Sequence, residues 1–193
     1  MRVIAGNWKG RRLKSPSGNT VRPTTDRVKE ALFNILGPEV VGCCFLDLCC
    51  GSGGLGIEAL SRGAASVVFV DLSRRSLALV RDNLEICGAD PGLFQLVGAD
   101  AVAWFGGWNP PADSVPWIVV ADPPYHGPVA GAIMEGLDGL VSDPGFRAGI
   151  IEFGTGTPDL PPIASFGSNW TVRRYGGSHL AVVRPCGETP EGE

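Results

Sequence analysis

The segment Phe45-Leu46-Asp47-Leu48-Cys49-Cys50-Gly51-Ser52-Gly53-Gly54-Leu55-Gly56 decides the fold of this chain. Its apolar first half indicates a buried strand. Gly51, Gly53 and Gly56 then have the G-x-G-x-x-G spacing of a turn that leads from a strand into a helix. Such a turn lets a nucleotide cofactor approach the backbone, so Gly51, Ser52, Gly53 and Gly56 are predicted cofactor contacts.

The residues that follow complete a βαβ unit. Residues 57–62 continue as a helix, and Gly63 is placed to end it. The β-branched run 66–70 is the next strand, and Asp71 stands at its carboxyl end, 20 residues after Gly51. An acid at that distance can accept hydrogen bonds from the two ribose hydroxyls of a nucleotide. A flexible glycine loop with Asp71 capping a helix is the alternative interpretation.

Four acids, Asp47, Asp71, Asp100 and Asp122, fall at or near the carboxyl ends of predicted strands. Ligands of open α/β sheets bind at that edge. A nicotinamide dehydrogenase would share the glycine turn, but Asp47 would place a negative charge beside its pyrophosphate. A methionine-type ammonium would instead be attracted to that charge. Asp100 is placed to recognise an adenine amino group.

Residues Asp122-Pro123-Pro124-Tyr125 form a rigid polar corner after an apolar run at 117–121. The two prolines fix φ and remove two backbone donors. Asp122 and a proline carbonyl could accept both N–H bonds of an exocyclic amine, while Tyr125 stacks on its ring. These four residues are the predicted catalytic set. A tight turn capped by Asp122 is the structural alternative.

The chain resembles a known family through these motifs and its opening segments. The order Asp47, Gly51-Ser52-Gly53, Asp71, Asp100 and Asp122-Pro123-Pro124-Tyr125 is similar to class I S-adenosylmethionine-dependent methyltransferases that methylate amines. Residues 1–6, 10–13 and 22–34 resemble the 16S rRNA guanine-N2 methyltransferase family, the small-subunit rRNA methyltransferases of the D type. The resemblance covers residues 1 to about 185, departs at Cys49 and Cys50, and finds no match in residues 154–169.

The resemblance implies a cofactor, a substrate and further site residues. The cofactor is S-adenosylmethionine, with Thr24 beside it, and the substrate is 16S rRNA, free or within a 30S particle. Arg22, Thr24 and Asp26 would shape the site, although Thr24 or Asp26 could equally serve as a helix cap. The same corner would also serve a DNA methylase acting on adenine N6 or cytosine N4. A non-catalytic RNA-binding scaffold is the other alternative.

Charge is distributed unevenly along the chain. The net charge is −4, yet residues 1–30 contain eight cations and two acids, or +6, which leaves −10 for the remainder. A basic arm on an acidic body is expected of an appendage that contacts phosphate. The predicted RNA contacts are Arg2, Trp8, Lys9, Arg11, Arg12 and Arg22. The alternative is a solubilising tail on which Trp8 packs against the domain.

Alternating β and α elements predict a Rossmann-like α/β fold with a mostly parallel seven-stranded sheet and an antiparallel C-terminal hairpin. Residues 1–21 form the predicted arm, 22–185 the methyltransferase domain and 186–193 a disordered tail. Strands are predicted near 43–48, 66–71, 93–98, 116–121 and 147–153, followed by a hairpin of 170–175 and 178–184. A helix capped by Thr24 or Thr25 is predicted to run to about Leu36. Further helices are predicted near 53–62, 74–87 and 128–141, with a short helical turn after Asp100.

The remaining composition excludes several classes of protein. No stretch has the apolar length of a membrane span, and the N-terminus lacks a signal-peptide core. The six cysteines are expected as buried reduced thiols, and two histidines offer little for a metal site. We therefore expect a cytoplasmic monomer with no metal. Cytosine C5 chemistry is disfavoured because Pro185-Cys186 is the one Pro-Cys pair and lies in the tail.

Overall fold

A computed structural model describes residues 1–16, 26–110, 115–124, 127–154, 166–167 and 169–185. The described residues form one seven-stranded sheet with five α-helices. The strands are β1 Cys44–Leu48, β2 Ser66–Asp71, β3 Phe94–Gly98, β4 Trp117–Ala121, β5 Phe146–Gly154, β6 Trp170–Tyr175 and β7 Ser178–Val183. The helices are α1 Asp26–Leu36, α2 Gly54–Ser61, α3 Arg74–Cys87, α4 Ala101–Gly106 and α5 Val129–Asp138.

The sheet has the strand order β3-β2-β1-β4-β5-β7-β6. Strands β1 to β5 are parallel, whereas β7 runs antiparallel to both β5 and β6. Every residue of the central strands β1 and β4 is buried, as expected of parallel strands covered on both faces. The carboxyl ends of β1 to β5 meet at one edge of the sheet, which is called the rim below.

Two hydrophobic clusters cover the two faces. Helices α1, α2 and α3 pack on one face through residues such as Leu32, Ile57 and Val80. Helices α4 and α5 pack on the other face through residues such as Phe105 and Ile133. The predicted Rossmann-like architecture and its antiparallel hairpin are confirmed.

Most predicted boundaries agree with the structure to within a few residues. Helix α3 has the predicted bounds because Ser73 accepts the Ser76 N–H at its start and Gly88 ends it with a φ of 66°. Helix α5 was predicted to reach residue 141 but ends at Asp138, where Gly139 follows and disfavours further helix. The predicted helix cap at Thr24 or Thr25 and the predicted tail at 186–193 lie outside the described residues.

The described part of the basic arm, residues 1–16, packs against the rest of the domain, and the predicted boundary at residue 21 lies outside the described residues. The two segments of the arm pair with each other, because Val3 N–H donates to the Arg11 carbonyl at 2.9 Å and Leu13 N–H donates to the Met1 carbonyl at 3.1 Å. Val3 is 1% exposed and Leu13 is 6% exposed, and both belong to the first hydrophobic cluster. The arm therefore completes the core over α2 and α3.

A buried carboxylate anchors the arm. Glu58 on α2 is fully buried and accepts the backbone N–H groups of Ile4 at 2.8 Å and Ala5 at 2.9 Å. The Lys29 ammonium lies 3.3 Å from Glu58 and donates to the Arg2 carbonyl. Burial lowers the pKa of Lys29, and the attraction to Glu58 partly offsets that effect. Removal of Glu58 would leave the Lys29 ammonium buried without this partner, whereas Glu58 itself also pairs with the Arg62 guanidinium at 2.9 Å.

The five cysteines in the described ranges, at positions 43, 44, 49, 50 and 87, are free thiols. All except Cys49 are buried, so the predicted burial is wrong for that residue. Within the described ranges, no helix has both the length and the apolar character needed to cross a membrane.

We predict that Glu58→Ala lowers the free energy of unfolding by about 3–5 kcal/mol, because it leaves the Lys29 ammonium without its buried partner. Urea unfolding followed by circular dichroism measures this change. Asp82→Ala is the matched control, since it removes an ion pair with Lys14 whose side chains are 57% and 48% exposed. That variant should change stability by less than about 1 kcal/mol. Equal losses in the two variants would contradict the anchoring role of Glu58.

Candidate active site

The four predicted acids converge at the rim. Burial, followed by the charges of Asp71, Asp47, Asp122 and Asp100, raises the pKa of the Cys49 thiol to about 12. All four carboxylates are therefore close enough to Cys49, the first residue after β1, to act on it electrostatically. Sequence separations of up to 75 residues are closed because parallel strands end at one edge.

The glycine turn between β1 and α2 has the backbone that its sequence predicts. Gly51 and Gly53 have φ values of 54° and 76°, a left-handed region that suits glycine. A Cβ atom on Gly51 would meet nothing within 4 Å, so the backbone at this position faces open space. A Cβ atom on Gly56 would lie 2.3 Å from the Phe69 ring. Gly56 therefore permits close packing of α2 on β2, while Gly51 leaves room for a ligand.

Asp47 lies beneath this turn rather than on its surface. Its side chain is buried, at 1% exposure, and accepts the Gly56 N–H at 2.9 Å. Burial raises the pKa of Asp47 well above its ordinary value, the bond from Gly56 opposes that shift, and the charge of Asp122 adds to it. The sequence predicted that Asp47 faces a cofactor ammonium. In the structure its direct partner is the Gly56 N–H at the start of α2. Asp47 would therefore attract a cofactor ammonium electrostatically, without a direct hydrogen bond.

Asp71 joins the second strand to the glycine turn. One carboxylate oxygen accepts the Gly51 N–H at 2.9 Å, and the other accepts the Ser73 N–H at 2.7 Å. Each carboxylate oxygen can accept a further hydrogen bond, which leaves the capacity that two ribose hydroxyls require. The next residue, Leu72, is 74% exposed. An apolar side chain so exposed beside the turn is a surface on which a flat ring could pack, and the sequence analysis did not identify it.

Asp100 caps the short helix α4. Its Oδ1 atom accepts the Ala103 N–H at 2.9 Å, and the side chain is exposed at the rim beyond β3. Capping uses one oxygen of the carboxylate. The predicted contact with an adenine amino group would use the other.

The Asp-Pro-Pro corner begins where β4 ends. The Asp122 N–H donates to the Leu48 carbonyl at 3.4 Å, which extends the pairing of β4 with β1 by one residue. Asp122 is half-buried, Pro123 is buried and Pro124 is exposed. The charge of Asp122 raises the pKa values of both Asp47 and Cys49, so its carboxylate lies within electrostatic range of the glycine turn. Tyr125 lies outside the described residues.

The predicted RNA-contact residues occupy different parts of the arm. Arg2 is exposed and pairs with Asp26 at 3.2 Å. Lys9 and Arg12 are exposed, and the Arg11 guanidinium donates to the Ile86 carbonyl near the end of α3. Predicted contacts Thr24 and Arg22 lie outside the described residues.

Trp8 has a packing role, which argues against its predicted stacking on a base. Its side chain packs against the first hydrophobic cluster. The backbone N–H of Trp8 donates to the Ser61 hydroxyl at 2.9 Å, at the end of α2 far from the rim. The alternative interpretation from the sequence, in which Trp8 packs on the domain, describes this residue better.

Asn83 is a positioning residue that the sequence did not reveal. Its buried amide accepts the Lys14 N–H at 2.7 Å and donates to the carbonyls of Lys14, at 3.1 Å, and Ser52, at 3.0 Å. It thereby ties the arm to the glycine turn. Lys29 was missed as well, although its spacing with Phe33 and Leu36 places it on the buried stripe of α1. Across the described residues, no group of three or more potential ligands could hold a metal ion.

Comparisons with known proteins agree with this architecture. A family model described as conserved hypothetical protein 95 matches residues 1–151. Ribosomal RNA small subunit methyltransferase D of Escherichia coli is 34% identical over 180 residues, which cover 90% of this chain and 83% of the relative. The Haemophilus influenzae protein of the same name is 35% identical over 127 residues, which cover 65% of this chain and 64% of the relative.

Solved structures show the same fold. An Escherichia coli methyltransferase structure superimposes with a TM-score of 0.69 at 30% identity and covers 96% of this chain and 98% of its own. A Thermus thermophilus 16S rRNA N2 methyltransferase, solved in complex with AdoMet and guanosine, superimposes with a TM-score of 0.64 at 21% identity. That match covers 88% of this chain and 44% of the other.

We predict that Asp47→Asn flattens one part of the pH dependence of stability. The folded state raises the pKa of Asp47 above its ordinary value of 3.8. The stabilisation from this group is therefore fully present below that value and is lost as pH rises through the folded pKa. The asparagine amide can still accept the Gly56 N–H but does not titrate.

Urea unfolding of the wild type and the variant at a series of pH values tests this prediction. The stability of Asp47→Asn relative to the wild type should increase as pH rises above about 3.8. Asp82→Asn, at an exposed carboxylate on α3, is the matched control. Curves that run parallel for the wild type and Asp47→Asn would show that Asp47 titrates normally.

Proposed function

Because the chain belongs to the family of small-subunit ribosomal RNA methyltransferase D, we propose that it methylates the exocyclic N2 amine of a guanine in 16S rRNA. The chain is a methyltransferase by that membership. The Asp-Pro-Pro corner supports an exocyclic amine as the target, because its acceptors suit the two N–H groups of such an amine. The observation that carries the proposal is that Asp122 follows β4 directly beside β1, at the same edge where Asp47 and Asp71 accept N–H groups of the glycine turn.

The residues at the rim fit S-adenosylmethionine as the methyl donor. Open space at Gly51 admits a ligand to the backbone of the turn. Asp71 keeps acceptor capacity for ribose hydroxyls, and exposed Leu72 offers an apolar surface to an adenine ring. The negative charge of ionised Asp47 favours the positive charge of a cofactor ammonium. When bound, this cofactor supplies a methyl group that is already activated by a positively charged sulfur.

Asp122 and Pro123 would position the amine and make its lone pair usable. The lone pair of a guanine N2 amine is delocalised into the ring, so the amine is a poor nucleophile. Hydrogen bonds from its two N–H groups to the Asp122 carboxylate and the Pro123 carbonyl favour a pyramidal nitrogen. The proline-fixed backbone holds both acceptors in place before the substrate arrives.

Asp122 would also stabilise the charge that develops during transfer. Positive charge grows on nitrogen as the new N–C bond forms, and a preorganised carboxylate beside it lowers the barrier. Asp122 or water then takes the proton that the methylated nitrogen loses. Tyr125 remains the predicted stacking partner of the base, which must leave its own stack to reach the corner.

The arm packs on the domain and also carries exposed positive charge. Its backbone and Trp8 stabilise the fold. Four exposed cations of the arm could attract RNA phosphates, namely Arg2, Lys9, Arg11 and Arg12. Removal of the arm would expose the Glu58–Lys29 pair and the core. Deletion therefore cannot separate RNA binding from folding, and charge substitutions are the appropriate test.

We predict that Asp122→Ala retains cofactor affinity and loses turnover by about 10²- to 10³-fold, the cost of removing one preorganised electrostatic group. Calorimetry with S-adenosylmethionine and transfer of a labelled methyl group to small-subunit rRNA measure the two quantities. Asp90→Ala is the matched control because Asp90 caps the turn before β3, at the opposite end of that strand from the rim. Undiminished turnover of Asp122→Ala would refute the assigned role.

We expect the target itself to be identified by nucleoside mass spectrometry of rRNA from cells with and without the gene. Loss of one N2-methylguanine from 16S rRNA, and its restoration by the purified protein acting on free rRNA or on 30S particles, is the expected result. Loss of a methylated adenine or cytosine instead would identify the exocyclic amine of that base as the target. An unchanged set of modified nucleosides would refute the rRNA substrate.

A further inference from the structure

At one side of the sheet, the three strands β5, β7 and β6 extend further in the direction of the rim than β4, which ends at the catalytic corner. Ala121, the last residue of β4, pairs with Ile151 of β5, and Ile151 pairs with Ala181 of β7. Ala181 in turn pairs with Val172 of β6. These four residues mark one level across the sheet. Beyond it, β4 gives way to the Asp-Pro-Pro corner, while β5 continues to Gly154 and β6 to Tyr175.

The extension amounts to three residues per strand, or about 10 Å at the rise of a β-strand. The turn between β6 and β7 is Gly176-Gly177, so it stands at the top of this extension, on the same edge as the corner. Arg173 is one residue above the level of Ala121, as Asp122 is. Three strand spacings separate them, which corresponds to roughly 14 Å. The hairpin therefore forms a wall beside the site.

The wall carries positive charge. Arg173 and Arg174 are exposed on β6, an edge strand, and neither forms an ion pair with any acid in the described residues. The Arg174 Nε–H donates to the Gly176 carbonyl at 3.3 Å, which holds its guanidinium at the turn. A guanidinium has five N–H donors in a planar fork, so most of the donors of Arg174 stay available for phosphate oxygens.

The tip of the arm, residues 7–11, is less well placed for contacts beside the target base, whereas Lys14 is tied to the glycine turn through Asn83. Asn7 and Trp8 are bound to Ser61, the last residue of α2, and Arg11 is bound to Ile86 near the end of α3. Both helices begin at the rim, so these contacts lie at the other end of the domain. The hairpin is an exposed basic element on the β4 side of the site, away from the acids that flank the glycine turn.

We propose that Arg173 and Arg174 of the β6–β7 hairpin bind backbone phosphates of the substrate RNA next to the base held by Asp122. This inference rests on the proposed rRNA substrate and adds a binding surface to it. Phosphate contacts of this kind fix the position and register of a nucleic acid without reading its sequence. The charge of the wall complements the substrate, and its height places the contact beside the corner.

The test uses Arg173→Ala/Arg174→Ala in the full chain. Binding of an rRNA fragment that the wild type methylates is measured over a range of salt concentrations, together with the affinity for S-adenosylmethionine. Loss of two phosphate contacts should weaken RNA binding about ten-fold or more at low salt. The slope of log K against log salt should fall by about 1.4 to 1.8. Cofactor affinity should stay unchanged.

Two control variants separate charge from folding. Arg173→Lys/Arg174→Lys keeps both charges and should retain most of the wild-type salt slope. Arg81→Ala removes one exposed charge from α3 and should have little effect on binding. A lysine pair as impaired as the alanine pair would attribute the loss to the hairpin's structure and overturn the inference.

The remaining outcomes are distinct. If the wild type methylates rRNA but the alanine pair keeps its affinity and slope, the hairpin inference alone is overturned. If the alanine pair fails only on 30S particles and binds free rRNA normally, the wall contacts ribosomal protein and the inference is wrong. If the wild type methylates no rRNA, the proposed function itself fails, and this inference fails with it.

Discussion

The site depends on two carboxylates, Asp47 and Asp71, that fix the left-handed backbone conformation of the glycine turn. The Asp47 carboxylate accepts the Gly56 N–H from below, and Asp71 accepts the Gly51 N–H from the neighbouring strand. Without these two bonds the turn would have the conformational freedom of its glycines. The entropy lost when a ligand ordered the turn would then weaken ligand binding. Because both acids lie on strands of one sheet, the packing of the whole core fixes the turn before a ligand arrives.

Buried hydrogen bonds fix the arm in the same way. Asn83 bonds to the Ser52 carbonyl of the turn and to both backbone groups of Lys14, so the arm and the turn share a buried partner. Glu58 then fixes the other strand of the arm through Ile4 and Ala5. A segment whose composition indicates a detachable basic appendage is thus a structural layer over α2 and α3. Its cations are borne on a rigid surface.

The sequence predicted what local patterns and strand ends determine. The βαβ periodicity, the glycine spacing and the acids after strands gave the sheet and its rim, because these signals lie within single elements. Lys29, Glu58 and Asn83 escaped prediction because their partners are 27 to 69 residues away in sequence, and a buried ion pair leaves no periodic trace. Cations near Trp8 in sequence suggested a contact with a base, whereas the fold packs its side chain against the first hydrophobic cluster. The height of the hairpin depends on strand register, which no single segment encodes.

Charge along the rim then explains how an acidic protein could engage RNA. Acids surround the glycine turn, where a cationic cofactor would reduce their repulsion of the substrate's phosphates. The arginines of the β6–β7 hairpin lie on the other side of the Asp122 corner, where no acid of the described residues pairs with them. A polyanion approaching this edge would be repelled from one side and attracted to the other. The gradient would orient the strand across the corner, so the net charge of the chain is a poor guide to its partner and the order of charges along one sheet edge is a better one.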